Sequence, residues 1–204
     1  MVITFYGEAF VKVQQGETIF AFNPVSREHD VKASKFGADI ALISLNDPVF
    51  NGSENTSFGS KEALVVDGPG EYEIGGVFIK GFPSVGPAAK INTIYTVSFE
   101  GIRLCHLGGL AQATLAPAII EDIGVVDVLF IPIGGGQYLS PKDASKLAAS
   151  LEAKIIVPIL WSGGGMLETF LKEAGEEKEN AVDKLTLKKK DLEGKEGEIV
   201  VIKS

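Results

Sequence analysis

Ala38 to Gly52, which reads Ala-Asp-Ile-Ala-Leu-Ile-Ser-Leu-Asn-Asp-Pro-Val-Phe-Asn-Gly, decides how this chain is interpreted. Ile40 to Ile43 is a short apolar run that is typical of a buried strand. The strand ends in a polar turn over residues 44–48, and α/β folds place their chemistry in loops that follow strands. The turn therefore predicts the mouth of a site, although it contains no histidine.

Composition excludes several classes of protein. The 204 residues carry a net charge of −8, and 45% of them are hydrophobic. An acidic chain without a clustered basic face disfavours a nucleic-acid partner. The single cysteine, Cys105, excludes an intrachain disulfide framework and fits a reducing compartment. No signal peptide and no apolar run of about 20 residues is present, so we expect a cytoplasmic protein without a membrane partner.

The first half of the chain, about residues 1–110, is rich in strand signals. Apolar segments at residues 2–6, 10–13, 18–22 and 63–66 alternate with turn residues. Gly75-Gly76 and Glu100-Gly101 each separate two strand-like runs, which predicts two tight hairpins. The loop that follows residue 43 continues to about residue 60, and connections of that length are usually functional or mobile.

The second half, about residues 111–204, alternates strands with helices. We expect a helix from Thr114 through Asp122 and a third helix over residues 167–174. Between them we expect a second helix that Ser140 caps and that has Pro141 at its first position. Strands are expected at residues 126–131, 155–159 and 198–202. The helices must cover a sheet face, so one domain over residues 1–204 with two packed sheets and outer helices is predicted.

Four segments together resemble the metallo-β-lactamase superfamily, in the branch of ascorbate-6-phosphate lactonase-like, metal-dependent hydrolases. They are Gly68-Pro-Gly-Glu-Tyr-Glu-Ile, Asn92-Thr-Ile-Tyr, His106-Leu-Gly-Gly-Leu and Val126-Asp-Val-Leu-Phe-Ile-Pro-Ile-Gly-Gly-Gly. The resemblance covers roughly Ile3 to Trp161 and rests on the combination of motifs, since each motif alone is weak. It implies an α/β (α+β) fold, the four-layer αβ/βα sandwich of this superfamily, with a metal cleft at one sheet edge.

The resemblance fails at the positions that would bind metal. The family signature Thr-His-x-His-x-Asp-His aligns with residues 44–50, which contain no histidine. Its His-Leu-Gly-Asp motif ends here in glycine, and its last histidine is a leucine. A zinc site needs about four N, S or O donors, and apolar side chains supply none. The degenerate ligand positions are Leu45, Asp47, Val49, Phe50, Gly109 and Leu160. At two further family positions, Glu8 replaces a histidine and Asn23 replaces the aspartate of an Asp-Pro pair.

Three residues remain open to two interpretations each. Asp47 is either a turn aspartate or, with Glu8, a weak ligand pair for a hard cation such as Mg²⁺ or Mn²⁺. His106 is the single histidine near the expected cleft, and a hydrogen-bonded structural role is favoured over a catalytic one. Glu71, which shares a strand face with Glu73, is either an acid–base candidate or part of a solvated face.

Other motifs favour a structural interpretation. Cys105 lies in an apolar strand and is expected to be a core residue. The glycine runs at 134–136 and 163–165 follow strands but lack the lysine and hydroxyl residues of a phosphate loop. Phe50 and Trp161 either fill the space of the missing metal or line a small apolar pocket, and filling is favoured.

These patterns lead to one main prediction and one alternative. The main prediction is a catalytically inactive binding or assembly module that has lost its metal centre and needs no cofactor. The alternative is a metal-dependent hydrolase of a small phosphorylated or lactone-type substrate, in which Zn, Mn or Mg serves an altered site built from Asp47, His106, Glu8 and Glu71. A homo-oligomer and an unidentified small-molecule or protein partner are also expected. The sequence assigns no role to the charged segment 175–196.

Overall fold

Strands dominate the chain, and the computed structural model pairs most of them into two large sheets. The structure describes residues 1–29, 35–161, 163, 165–176 and 179–204. The strands are β1 (Val2–Phe5), β2 (Val11–Gln15), β3 (Thr18–Phe22), β4 (Ile40–Leu42), β5 (Leu64–Val66), β6 (Gly70–Ile74), β7 (Val77–Val85), β8 (Ile91–Phe99), β9 (Ile102–His106), β10 (Val128–Pro132), β11 (Ile155–Ile159), β12 (Ala181–Val182), β13 (Leu185–Thr186), β14 (Glu198–Ile199) and β15 (Val201–Ile202). The α-helices are α1 (Pro117–Ile123), α2 (Pro141–Ser150) and α3 (Met166–Glu173), and short 3-10 turns cover Ser53–Asn55, Pro87–Ala89 and Lys189–Leu192.

The first sheet has the order β13-β1-β2-β3-β4-β5. β1, β2 and β3 form an antiparallel meander, whereas β3, β4 and β5 run parallel to one another. β13 pairs with β1 and β12 pairs with β15. Four described residues of the charged segment 175–196, those of β12 and β13, are therefore paired in sheets. Residues 177 and 178 lie outside the described residues.

The second sheet has the order β14-β11-β10-β9-β8-β7-β6. The two predicted hairpins are confirmed, because Ile74 pairs with Val77 and Phe99 pairs with Ile102 across two-residue turns. Both turns hold their two central residues at positive φ, as the right-handed twist of a tight hairpin requires. From β9 onward the neighbouring strands run parallel, so their carboxyl ends meet at one edge.

Side-chain alternation along the strands builds the core between the sheets. Phe20 and Phe22 of β3 point toward the second sheet, where the Phe20 ring meets Phe99 at 5.5 Å and Phe22 meets Phe130 at 6.0 Å. All but Phe99 are fully buried, and burying one such side chain stabilises the fold by roughly 1.5–3 kcal/mol. The opposite face of β3 carries Ala21, which joins a smaller apolar cluster on the outside of the first sheet.

The three α-helices pack on the outer face of the second sheet through an apolar cluster that includes residues of all three. The cap of α2 is as predicted, since the Ser140 hydroxyl accepts from the Asp143 amide. The predicted start of α1 at Thr114 is wrong: the helix begins at Pro117, behind an extended Ala116. Proline disfavours helical backbone in the residue before it, which prevents an earlier start. None of the helices in the described part of the chain has the length and apolar character to span a membrane.

Candidate active site

One end of the sandwich collects the loops that follow β3, β4, β9, β10 and β11. The Ser44 amide, after β4, donates to Asn23 Oδ1, after β3, at 2.7 Å. Asn23 Nδ2 in turn lies 3.3 Å from Nδ1 of His106, at the end of β9. This short chain of contacts links the two sheets, so the strand ends of both sheets form a common cleft region, as the sequence predicts.

His106 is fully committed to structural contacts. The Gly108 amide donates to its Nδ1 at 3.0 Å, and the carbonyl of Ala9 lies 3.1 Å from its Nε2. An amide can only donate and a carbonyl can only accept, so the ring carries its proton on Nε2. The ring packs against both Phe22 and Phe130, at centroid distances of 5.2 and 5.3 Å, and those two rings also contact each other. Burial lowers the pKa of His106 to about 3, which keeps the imidazole neutral.

Asn92 is a second buried hub of this region. Its Nδ2 donates to the carbonyl of Leu107 at 3.0 Å and to Ser84 Oγ at 2.8 Å. Its Oδ1 accepts from the Gly109 amide at 2.8 Å. The side chain therefore holds the loop 107–110 against β8 and satisfies backbone groups that would otherwise be buried without a partner.

Apolar side chains fill the interior of the cleft. Leu45, Phe50 and Leu160 are 3%, 0% and 4% exposed and belong to one core cluster. Gly109 lies against Phe50, such that a Cβ at this glycine would stand 2.9 Å from Phe50 Cζ. Real Cβ atoms essentially never approach another heavy atom that closely, so the ring occupies the space that any side chain at position 109 would need.

The donor set does not fit the zinc site that the resemblance implies. No three His, Cys, Asp or Glu side chains in the described residues are grouped so that they could hold a metal ion. His106 uses both ring nitrogens, and Val49 stands where the family has a carboxylate. Ser44 Oγ is the one buried side-chain oxygen or nitrogen without a hydrogen-bond partner among the described residues. A single hydroxyl falls far short of about four donors.

The backbone around this interior is held in unusual conformations. Glu8, Asn23 and Leu160 have φ of +51°, +47° and +53°. Asparagine tolerates the left-handed region, but a branched leucine there is rare. A hydrogen bond of 2.7 Å from the Leu160 amide to the Glu8 carbonyl fixes two of these residues together. Strained positions of this kind cluster at ligand sites, and here they mark the same loops that the sequence identifies.

Polar groups remain at the rim of the cleft. Asp47 is one third exposed, and its Oδ2 lies 3.1 Å from Lys90 Nζ. Its Oδ1 accepts from the Val49 amide at 3.3 Å, so the residue shapes its own turn and still faces solvent. Burial, followed by the nearby charges of Asp47 and Glu8, raises the pKa of Tyr138 to about 12. Two carboxyl groups, an ammonium group and a protonated phenol therefore share the rim.

The structure does not bring Glu71 into this group. Glu71 lies on β6, the edge strand of the second sheet, and pairs with Lys80 at 3.2 Å. Lys80 also pairs with Asp122 at 3.4 Å. Together with the commitment of His106 to structural contacts, this corrects the predicted four-residue site: only Asp47 and Glu8 lie at the cleft rim.

The contacts of the remaining residues that the sequence singles out serve packing and not catalysis. Cys105 is fully buried, and burial raises the pKa of its thiol to about 12, so it is not an activated nucleophile. A Cβ at Gly134 would stand 2.1 Å from the Leu160 carbonyl oxygen, so this glycine permits a close backbone approach. The indole of Trp161 donates to the Pro158 carbonyl at 3.3 Å. Gly164, the centre of the second glycine run, lies outside the described residues.

Three residues of the site were not singled out from the sequence. Asn92 belongs to a quoted motif, but nothing in the sequence indicates that its side chain is buried. Lys90 follows a 3-10 turn and Tyr138 lies in the loop after β10, so both reach the rim only through tertiary packing. A polar residue near the start of the apolar strand β8, within a quoted motif, is the one signal that would have identified Asn92.

Comparison with known proteins agrees with the fold. Residues 2–160 match the family model described as Beta-lactamase superfamily domain. A UPF0173 metal-dependent hydrolase of Anoxybacillus flavithermus is 28% identical over 78% of this chain and 85% of that protein. A UPF0173 protein of Pyrococcus abyssi is 26% identical over 73% of this chain and 71% of its own length. The crystal structure of a proposed Zn-dependent hydrolase of the metallo-beta-lactamase superfamily from Thermotoga maritima superposes with a TM-score of 0.81 and 27% identity over 99% of both chains.

These similarities confirm the predicted fold class and correct the predicted function. The interpretation as a catalytically inactive module is contradicted by relatives that are named metal-dependent hydrolases, and those names favour the alternative, a hydrolase. The expectation of no cofactor is also unsupported, because the same names suggest a divalent metal in those proteins. The lactonase-like branch is not distinguished by these comparisons.

Proposed function

Because the chain belongs to the Beta-lactamase superfamily domain family, we propose that it is a hydrolase of a small phosphorylated or lactone-type substrate that acts through an altered site. The single observation that carries the proposal is the rim of the cleft. There Asp47, held by Lys90 at 3.1 Å, lies close enough to the Tyr138 hydroxyl for its charge to raise the pKa of that phenol. A general base, a cation and a hydrogen-bond donor are thus grouped beside buried apolar side chains.

The names of the relatives suggest a divalent metal, and the positions of the available donor side chains limit where such an ion could bind. Among the described residues the cleft interior holds no group of three side chains that could bind zinc, whereas Glu8 and Asp47 at the rim supply two carboxyl groups. Two carboxylates do not by themselves make a metal site, since hard cations take about six oxygen ligands. The roles below are therefore assigned to the chain's own side chains.

Asp47 is the proposed general base. Its carboxylate is one third exposed, so water can reach it, and Lys90 fixes one of its oxygens. In hydrolysis of a lactone, Asp47 accepts a proton as the water oxygen forms a bond to the carbonyl carbon. The ring C–O bond then breaks, and the same carboxyl group returns the proton to the leaving alkoxide oxygen.

Tyr138 and Lys90 are the proposed binding and stabilising groups. With its pKa raised to about 12, the Tyr138 hydroxyl stays protonated at neutral pH and can donate to the substrate oxygen on which negative charge develops. The Lys90 side chain is 50% exposed, and its ammonium group can contact a substrate phosphate as well as Asp47. These roles predict a preference for anionic substrates over neutral ones.

The test is a panel of sugar lactones, phosphorylated sugar lactones and phosphate monoesters, assayed with and without added Zn²⁺, Mn²⁺ or Mg²⁺. Asp47→Asn should lower kcat by at least about 100-fold, the usual size of a general-base contribution. Tyr138→Phe should lower kcat by roughly 100-fold. Lys90→Met should raise KM for phosphorylated substrates more than for neutral lactones.

Asp39 and Lys61 supply the matched control. They form a similarly exposed ion pair at 2.8 Å, on the first sheet and outside the candidate site. Lys61→Met should leave kcat and KM unchanged. Absence of turnover of every panel member under all metal conditions, or full activity in Asp47→Asn, would contradict the proposal. A cytoplasmic location, a homo-oligomer and an unidentified partner stay predictions.

A further inference from the structure

The volume that the family resemblance assigns to metal is closed in this chain, and we infer that the fold is complete without a bound ion there. The closure consists of the side chains of Leu45, Phe50 and Leu160 and the bare Cα of Gly109, which we call the plug. This inference concerns packing and stability, and it does not depend on the proposed reaction.

The central element of the plug is the pair formed by Phe50 and Gly109. The Phe50 ring is fully buried and lies 6.4 Å from the Tyr138 ring in an edge-on arrangement. A Cβ at Gly109 would stand 2.9 Å from Phe50 Cζ and 3.4 Å from Tyr138 Cε1. The ring therefore occupies the direction in which the family resemblance places a carboxylate, so an aspartate at position 109 would not fit while Phe50 is present.

Leu45 and Leu160 close the plug on other sides. A Cβ at Gly86 would stand 3.3 Å from Leu45 Cδ1, so the leucine side chain is packed directly against the turn before β8. Leu160 is 4% exposed, and its amide is bonded to the Glu8 carbonyl at 2.7 Å. Leu45, Phe50 and Leu160 lie in the same core cluster that fills the space between the sheets.

Hydrogen bonds connect the loops around the cleft interior, which a bound metal ion would connect in a metal-containing relative. Asn23 joins the ends of β3, β4 and β9 through the Ser44 amide and His106. Asn92 fixes loop 107–110 through the Leu107 carbonyl and the Gly109 amide. The loops after β3, β4 and β9 are thus anchored by contacts within the protein, and among the described residues the Ser44 hydroxyl is the one buried side-chain polar group that lacks a partner.

The first experiment measures metal content and thermal stability of the full chain after expression in medium supplemented with Zn²⁺ and Mn²⁺. Elemental analysis of protein passed through gel filtration should find less than about 0.1 ion per chain. EDTA, or Zn²⁺ and Mn²⁺ added alone, should shift the Tm by less than about 1 °C, because an ion that does not bind the native state cannot stabilise it. Near-stoichiometric metal that stays bound in Asp47→Asn, and whose removal lowers the Tm, would overturn the inference.

The second experiment is a double-mutant cycle on the plug. Gly109→Ala alone should lower the Tm by roughly 5 °C, because the new methyl group overlaps a ring that cannot move. In a Phe50→Leu background the same alanine should cost little or raise the Tm. Gly68→Ala is the matched control: its φ is not in the left-handed region, and a Cβ there meets nothing within 4 Å.

The control substitution should shift the Tm by less than about 2 °C. An equal effect of Gly109→Ala in both backgrounds would show that Phe50 does not occupy the space beside position 109, and would overturn the inference even if the protein contains no metal. Both experiments measure stability or composition and not turnover. Failure to identify a substrate would therefore leave this inference untouched, and its own failure would not affect the proposed hydrolase activity.

Discussion

Lowering the pH should destabilise this protein through His106 in a measurable way. Burial lowers the pKa of His106 in the folded state to about 3, against 6.5 for an unperturbed histidine. The unfolded chain therefore binds the proton more readily than the folded chain. The stability that this neutral ring contributes is fully present above about pH 6.5 and is lost progressively as the pH falls toward 3. From these two values the loss between pH 7 and pH 5 is about 2 kcal/mol.

The assay is urea unfolding of the wild type and of His106→Gln at pH 7 and pH 5. The two proteins share every other ionisable group, so the difference between their pH dependences isolates His106. The wild type should lose about 2 kcal/mol more than the variant between the two pH values. Equal losses would refute the reasoning. If the variant does not fold, NMR of the wild-type ring nitrogens supplies the answer, and a His106 that becomes protonated above pH 5 would contradict a buried, neutral ring.

Three further substitutions test individual contacts. Asn92→Ala should lower the free energy of unfolding by about 3 kcal/mol, because it leaves the Leu107 carbonyl and the Gly109 amide without partners. Urea unfolding measures this loss, and substitution of the exposed Asn180 by alanine is the control, which should be near neutral. Ser140→Ala should cost about 1 kcal/mol through loss of the α2 cap, whereas Thr114→Ala should cost almost nothing because that residue caps no helix. Gly134→Ala should abolish soluble expression or lower the Tm by more than roughly 6 °C, since a backbone oxygen 2.1 Å away from the new methyl group cannot move aside, and a Tm within 2 °C of wild type would contradict that contact.

Local signals were sufficient to predict most of the fold. The tight hairpins at Gly75-Gly76 and Glu100-Gly101 and the start of α2 at Ser140 follow from turn and cap chemistry, which depends on residues close in sequence. The start of α1 was misplaced because a threonine that suits a cap competed with the constraint that Pro117 imposes on the residue before it.

The composition of the site was less predictable because it depends on contacts between distant segments. Four of the replaced ligand positions lie within residues 44–50, and Gly109 and Leu160 follow from two further motifs. Asp47 was interpreted as either a turn aspartate or a weak metal ligand. Nothing local distinguishes Lys90 or Tyr138 from other surface residues, and both reach Asp47 only through the turns after β7 and β10. Glu71 was grouped with the site because it shares a strand face with Glu73 and paired acids suggest acid–base chemistry. Its strand lies at the sheet edge, where Glu71 pairs with Lys80.

Ligand loss alone led to a prediction of function that the names of the relatives contradict. The replacements at Leu45, Val49 and Gly109 show that metal donors are missing from the cleft interior. They do not show which polar groups other loops place at the rim. The relatives' names favour hydrolysis, and the rim around Asp47 is where this chain retains polar chemistry.

The most direct test of a filled interior with a polar rim is anomalous diffraction from crystals soaked separately in Zn²⁺ and Mn²⁺. We predict no anomalous peak inside the volume bounded by Leu45, Phe50, Gly109 and Leu160, where aromatic and aliphatic atoms are in contact. A peak in that volume with protein donors at about 2.0–2.3 Å would contradict the account.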